Sequence, residues 1–172
     1  MTTSPSTQRP SPDGGTALFG FALATGLTAL ASSRSARRPL SPWYAQLDKP
    51  PFQPPAWLFA PVWTLLYGLI ATSGWRVYRR PQSGQRRRAL RLWAAQLGLN
   101  GLWSPLFFGW HRPRAALVDS ALLLTTAASY AKVARDVDRP AARLFVPYLA
   151  WVGFATLLNE EIVRRNPARL MG

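Results

Sequence analysis

The chain contains no cysteine and a single histidine, His111. Disulfides and thiolate metal sites are thereby excluded, and one imidazole does not build a zinc site by itself. Acidic residues are scarce: 7 Asp and Glu stand against 21 Lys and Arg, a formal net charge of +14. Spread over a surface, that excess would suit a nucleic-acid binder. It is not spread. Every Lys and Arg falls in one of six short stretches: Arg9, Arg34 to Lys49, Arg76 to Arg91, Arg112 to Arg114, Lys132 to Arg143 and Arg164 to Arg169. The five segments between them are almost free of charge. A soluble basic domain scatters charge over its helices, whereas a bilayer confines it to the ends of spans. A nucleic-acid partner is therefore not expected. Also missing are a nucleophile beside its base, a phosphate-binding glycine loop and a carboxylate dyad, so no catalytic residue, metal or cofactor is read from the residue pattern.

What is present is an all-α pattern of five apolar segments, the signature of a polytopic membrane protein. Residues 1–13 hold three Pro and seven Ser, Thr or Gln, which predicts a disordered N-terminal tail. The predicted spans are about 14–33, 56–75, 92–111, 115–131 and 141–163, followed by a C-terminal tail, 166–172. A helix of 20 residues such as Ala56 to Trp75 is about 30 Å long and matches the hydrocarbon thickness. Short connections imply antiparallel neighbours in a five-helix bundle. In the first span Gly20, Ala24 and Thr28 share one face, which favours close packing. Ala29-Leu30-Ala31 also has the form of a signal-peptidase site, against which stands the basic cluster directly after it. The loop with Arg79-Arg80 and Arg86-Arg87-Arg88 reads as positive charge beside anionic headgroups. The tail and the loops after the second and fourth spans hold 12 of the 21 cations, a lean towards an inside N-terminus.

Three features inside the spans could carry function. Gln96 and Asn100 lie one turn apart on the third span, where amides need a partner from another helix or a ligand. Ala94 and Gly98 beside them form a small-xxx-small pair suited to a close helix contact, including one between subunits. Asp119 on the fourth span is an intramembrane carboxylate, with a structural bond to a neighbouring helix or Arg114 as the competing account. On the fifth span Tyr148, Trp151, Ala155 and Asn159 follow one helical stripe, and Pro147 is read as lying inside that helix.

The chain is rich in aromatic rings, with eight Trp, eight Phe and five Tyr. Trp43, Trp57 and Trp75 near span ends suit interfacial anchoring, but Trp63 and Trp151 lie within spans. Buried indoles near Asn100 suit a large, flat, mostly apolar ligand held by stacking and a few polar contacts. Ahead of the second span, Pro50-Pro51 and Pro54-Pro55 stiffen residues 43–55 into a non-helical loop, which reads as a lid over an intramembrane pocket.

These stretches resemble the TspO, or translocator protein, family of tryptophan-rich sensory proteins. The resemblance is carried by WYAQLDKP (43–50), PPAWLFAPVWTLLYG (54–68), QLGLNGLWSPLFFG (96–109), ALVDSALLL (116–124) and AARLFVPYLAWVGFATLLN (141–159). It implies an integral, multi-pass five-helix bundle, usually a homodimer in the lipid bilayer, binding a porphyrin or haem-type tetrapyrrole. By position it implies a pocket of Trp63, Tyr67, Asn100, Trp151, Ala155 and Leu158, with Trp43, Phe52, Pro54 and Pro55 in the lid. It also leaves open a tetrapyrrole transporter, or an enzyme promoting light-dependent protoporphyrin degradation with Trp63 and Trp151 as the redox residues. Two positions depart from the family pattern. Phe52 stands where its loop motif has Trp, and Glu160 stands where animal members carry the Tyr of their sterol-recognition pattern.

Overall fold

The computed structural model describes residues 14–36 and 42–167. The predicted N-terminal tail lies outside the described residues, as does most of the predicted C-terminal tail. The elements are α1 (Gly14–Ala36), α2 (Pro42–Ala45), α3 (Ala56–Tyr78), α4 (Gly84–Ser104), a π-helical turn (Pro105–Gly109), α5 (Pro113–Val137), α6 (Arg139–Leu144) and α7 (Val146–Arg165). No strand occurs among the described residues. α1 packs on α3 and α4, α4 on α5, α5 on α7, and α3 closes the ring against α6 and α7. The result is an all-α bundle of five long helical paths.

Its outer surface is apolar. Phe19, Leu27, Leu65, Val118, Leu122 and Leu157 are each more than half exposed. Exposed hydroxyls on these helices bond back to their own backbone: Thr64 and Thr125 donate to the carbonyls four residues earlier, at 2.8 and 2.9 Å. Such self-satisfied helices face hydrocarbon without an unmade bond.

Several sequence readings need correction at the helix ends. Arg86, Arg87 and Arg88 are not in a loop: Ser83 caps α4, its side chain accepting the Arg86 N–H at 3.1 Å, so the arginines ride on the first turns. The third path does not run as one helix to His111. α4 stops at Ser104, Pro105–Gly109 widens into a π turn, and His111 adopts a positive φ of 55° where the chain reverses. Pro147 is not inside a helix either. Phe145 interrupts the path, and Pro147 occupies the first turn of α7, where its missing N–H costs nothing. The loop before α3 is not wholly non-helical, since Pro42 starts a one-turn helix, α2.

The α5–α6 junction is held by Asp138. Its buried carboxylate caps α6 by accepting the Ala141 N–H at 2.8 Å and pairs with Arg76, at 3.1 Å, and with Arg80. Burial raises the Asp138 pKa, but the Ala141 N–H and the two guanidinium groups outweigh it and hold the carboxyl below its usual range. One turn into the bundle, Ser73 bonds the Tyr130 hydroxyl at 2.7 Å and the Ala141 carbonyl at 2.8 Å. This end of the bundle is thus clamped from α3.

Candidate functional site

The polar centre of the bundle is Asn100. Its Oδ1 accepts from the Tyr67 hydroxyl at 2.8 Å, and its Nδ2 donates to the Tyr148 hydroxyl at 3.1 Å. Three helices, α3, α4 and α7, meet through one amide. Trp63 lies one turn from Tyr67 on α3, with ring centroids 5.3 Å apart, and its edge meets Tyr148 at 6.4 Å. Trp63, Tyr67 and Asn100 are therefore brought together. The fourth member, Tyr148, was marked only as part of a stripe. The i, i+3 spacing from Trp151 was the signal that could have placed it in the site.

Trp151 stands further along α7 and faces a different set of rings. Phe59 meets it at 5.7 Å and Phe154 at 5.8 Å. Its indole Nε1 is buried and has no hydrogen-bond partner among the described residues. An indole N–H removed from water usually finds an acceptor, and leaving it unmatched costs about 1–3 kcal/mol. Ala155, one turn on, is half-buried. Leu158 belongs elsewhere: it packs on the smaller apolar cluster of Leu47, Phe107, Ala116 and Ile162. Asn159, the last residue of the stripe, is a strut. It accepts from Trp103 Nε1 at 3.1 Å and donates to the Pro113 carbonyl at 2.9 Å.

The segment before α3 folds over this end of the bundle. Leu47 is buried in the smaller cluster, and Asp48 is held by Asn166 in both directions: its N–H donates to Asn166 Oδ1, and its carbonyl accepts from Asn166 Nδ2, each at 2.9 Å. Trp43 stacks on His111, centroids 4.4 Å apart, and Tyr44 packs edge-on to Phe108 at 5.4 Å. Trp43 is thus a packing residue as well as one near a span end. Burial pushes the Tyr44 hydroxyl up from its ordinary pKa, with the Gln53 side-chain bond acting against it, so it stays a neutral phenol. Phe52 is half exposed and reaches Phe154 edge-on at 6.4 Å, while Pro54 and Pro55 lead into α3. Through Phe154, which also meets Trp151, the Phe52 ring connects this segment to the Trp151 side of α7.

Other singled-out residues behave differently. Gln96 is fully buried, and its Nε2 donates to the Trp93 carbonyl at 2.9 Å, while its Oε1 is unpartnered. Asp119 is buried and its Oδ2 likewise has no partner among the described residues, so no bond from Arg114 or a neighbouring helix reaches that oxygen there. Ala94 and Gly98 lie exposed on the outer face of α4, with nothing within 4 Å of a Cβ placed on Gly98. The small-residue contact within one chain is made instead at Gly101, whose Cβ direction meets Thr28 Cγ2 of α1 at 3.4 Å. No three His, Asp or Glu side chains converge as a metal site among the described residues.

Residues 18–165 match the TspO/MBR family. The translocator protein of Bos taurus is 37% identical over 155 residues, covering 89% of this chain and 92% of that protein. The tryptophan-rich protein TspO of Chlorobaculum tepidum is 39% identical over 160 residues, covering 87% and 93%. The tryptophan-rich sensory protein of Cereibacter sphaeroides is 42% identical over 124 residues, covering 72% and 77%. The match runs from α1 to the end of α7 and takes in every helix of the ring. With its lipid-facing apolar surface and its closed ring of helices, the chain is an integral multi-pass membrane protein and belongs to the TspO/MBR family.

Proposed function

We propose that the chain binds a porphyrin or related tetrapyrrole between α3, α4 and α7, under the lid formed by residues 43–55. The observation that carries this reading is Trp151. Its buried N–H lacks an acceptor, while Phe59 and Phe154 flank its ring. A flat ligand with peripheral carboxylates offers both a stacking face and an acceptor for that N–H. Trp63 supplies a second ring, and the Tyr67–Asn100–Tyr148 bonds hold the floor rigid. Ala155, one turn beyond Trp151, keeps the ligand's volume clear. This is a binding role: Trp63 and Trp151 act as platforms.

The test is quenching of tryptophan fluorescence by protoporphyrin IX in detergent, in darkness and under light. Trp63→Ala and Trp151→Ala should each weaken binding by about 1–3 kcal/mol, by analogy with loss of a stacking platform under a base. Ala155→Phe places a ring in the ligand's volume and should weaken it without unfolding α7. One dissociation constant for all four proteins would remove the site from α3, α4 and α7. Loss of the porphyrin spectrum under light in the wild type only would instead make the tryptophans reactants.

A further inference from the structure

At the end of the bundle away from the lid, α4 begins with cations where its dipole is positive. Its first turns carry Arg86, Arg87 and Arg88, with no acid in the first turn. Positive charge at a helix N-terminus is opposed by the macrodipole. No ion pair joins Arg79, Arg86, Arg87, Arg88 or Arg91 to a carboxylate among the described residues; the buried acid of this end, Asp138, is already taken by Arg76 and Arg80, and the exposed Asp136 near it pairs with none of them. Arg86 is the sharpest case. It is only 7% exposed, its guanidinium stacks 4.8 Å from the centre of the Tyr78 ring, and its buried Nε has no partner among the described residues. A guanidinium taken out of water with an unmade bond is unfavourable until an anion reaches it.

Tyr78 also forms a wall of a groove of about 310 Å³ between α1, α3 and α4, lined further by Ala17, Gly20, Phe21, Ala24 and Trp93. Trp93 lies two turns below Arg86 on the same buried stripe of α4. The lining is nearly all apolar, and the neighbouring Phe19 and Leu23 are exposed on the outer surface of α1. We propose that this groove is a site for an anionic phospholipid. The phosphodiester sits at Arg86 and the start of α4, and one acyl chain runs inward past Tyr78 over Gly20 towards Trp93. Charge selects the occupant. Arg86 on the Tyr78 wall and Arg79, within 4 Å of the Cβ direction of Gly14 on α1, repel the cationic headgroup of a zwitterionic lipid and attract an anionic one.

The full chain in detergent is offered dioleoyl phosphatidylglycerol or dioleoyl phosphatidylcholine, with bound lipid counted by native mass spectrometry and melting followed by circular dichroism. Wild type should hold phosphatidylglycerol about tenfold better, the size of one charge-assisted bond. Arg86→Gln should erase that preference. Gly20→Phe, which drives a ring into space that is open at that Cβ, should displace the lipid while leaving the helical signal unchanged. Inorganic phosphate and glycerol 3-phosphate should give no stabilisation; if either matches the lipid, the site takes free phosphates and the lipid assignment falls. Equal retention of the two lipids by wild type overturns the proposal. So does an undiminished phosphatidylglycerol preference in Gly20→Phe, which decides the matter alone should Arg86→Gln not fold.

Discussion

Gly74 shows how one residue sets the spacing of three helices. A Cβ at this position of α3 would lie 2.7 Å from both Phe21 Cδ1 of α1 and Trp93 Nε1 of α4. The added methyl must displace one of these rings, and Trp93 is held in place: its indole N–H is spent on the Ile70 carbonyl at 2.9 Å and its ring meets Phe21 edge-on at 4.8 Å. Gly74→Ala should therefore destabilise the bundle by about 1–3 kcal/mol, the range for overpacking a filled core. Gly68, on the same helix, has nothing within 4 Å of its Cβ direction. Gly68→Ala should be neutral or stabilising by up to about 1 kcal/mol, because only helix propensity changes. Thermal melts of the two variants in one detergent make the comparison, and equal melting temperatures would contradict it. The same scale explains Asn100. Both ends of its amide are matched by tyrosine hydroxyls, so it serves as a three-helix joint.

At the scale of elements, the segment 43–55 before α3 is a structured strap and not a stiff free loop. Its prolines restrict the backbone, but its position comes from contacts at its centre: Leu47 in the smaller apolar cluster and Asp48 on Asn166. Asn166 lies just after α7 and also donates to the Ile162 carbonyl at 2.8 Å, so it ties the strap to the end of that helix. Asn166→Ala removes both bonds to Asp48 and leaves a backbone N–H and carbonyl without partners, a cost of about 1–3 kcal/mol if they stay buried. The strap should respond by opening. Hydrogen exchange across residues 43–55 should speed up by one to two orders of magnitude, which is about 1–3 kcal/mol of local stability, while the amides of α3, α4 and α7 keep their wild-type protection. Unchanged exchange in the strap would mean that Leu47 and the Trp43–His111 stack suffice.

The whole molecule leaves one feature of the sequence unused within a single chain. Ala94 and Gly98 are exposed on α4, near exposed Leu102, and nothing among the described residues lies within 4 Å of a Cβ placed on Gly98. We expect this face to meet a second copy, since small side chains allow backbones to approach where lipid tails cannot fill the gap. Gly98→Leu should shift the protein towards monomer on size exclusion and lower cross-linking yield, with the monomer fold and porphyrin quenching intact. A dimer fraction that does not change would move the interface off α4.

Much of this protein was determined by its sequence alone. Confinement of charge to short stretches between apolar segments dictates a multi-pass helical bundle, because uncompensated charge in hydrocarbon is too costly to place elsewhere. Stripe spacing marked Tyr148 and Trp151, and the quoted stretches carried the family. What the tertiary structure decided were the places where local signals were silent or misleading. Arginines at 86–88 suggested a loop, but Ser83 capping and burial of Ala89 and Trp93 extend α4 beneath them. Pro147 reads from the sequence as a residue inside a helix, but the break at Phe145 makes it part of a helix start. Leu158 and Asn159 lie near Trp151 and Ala155 in sequence, yet pack against the smaller apolar cluster and against Trp103 and Pro113. Partner choice was the common limit. Periodicity tells which residues share a face, whereas the residue that each meets depends on how neighbouring helices rotate and slide to fill the core, and that is settled only when all of them pack together.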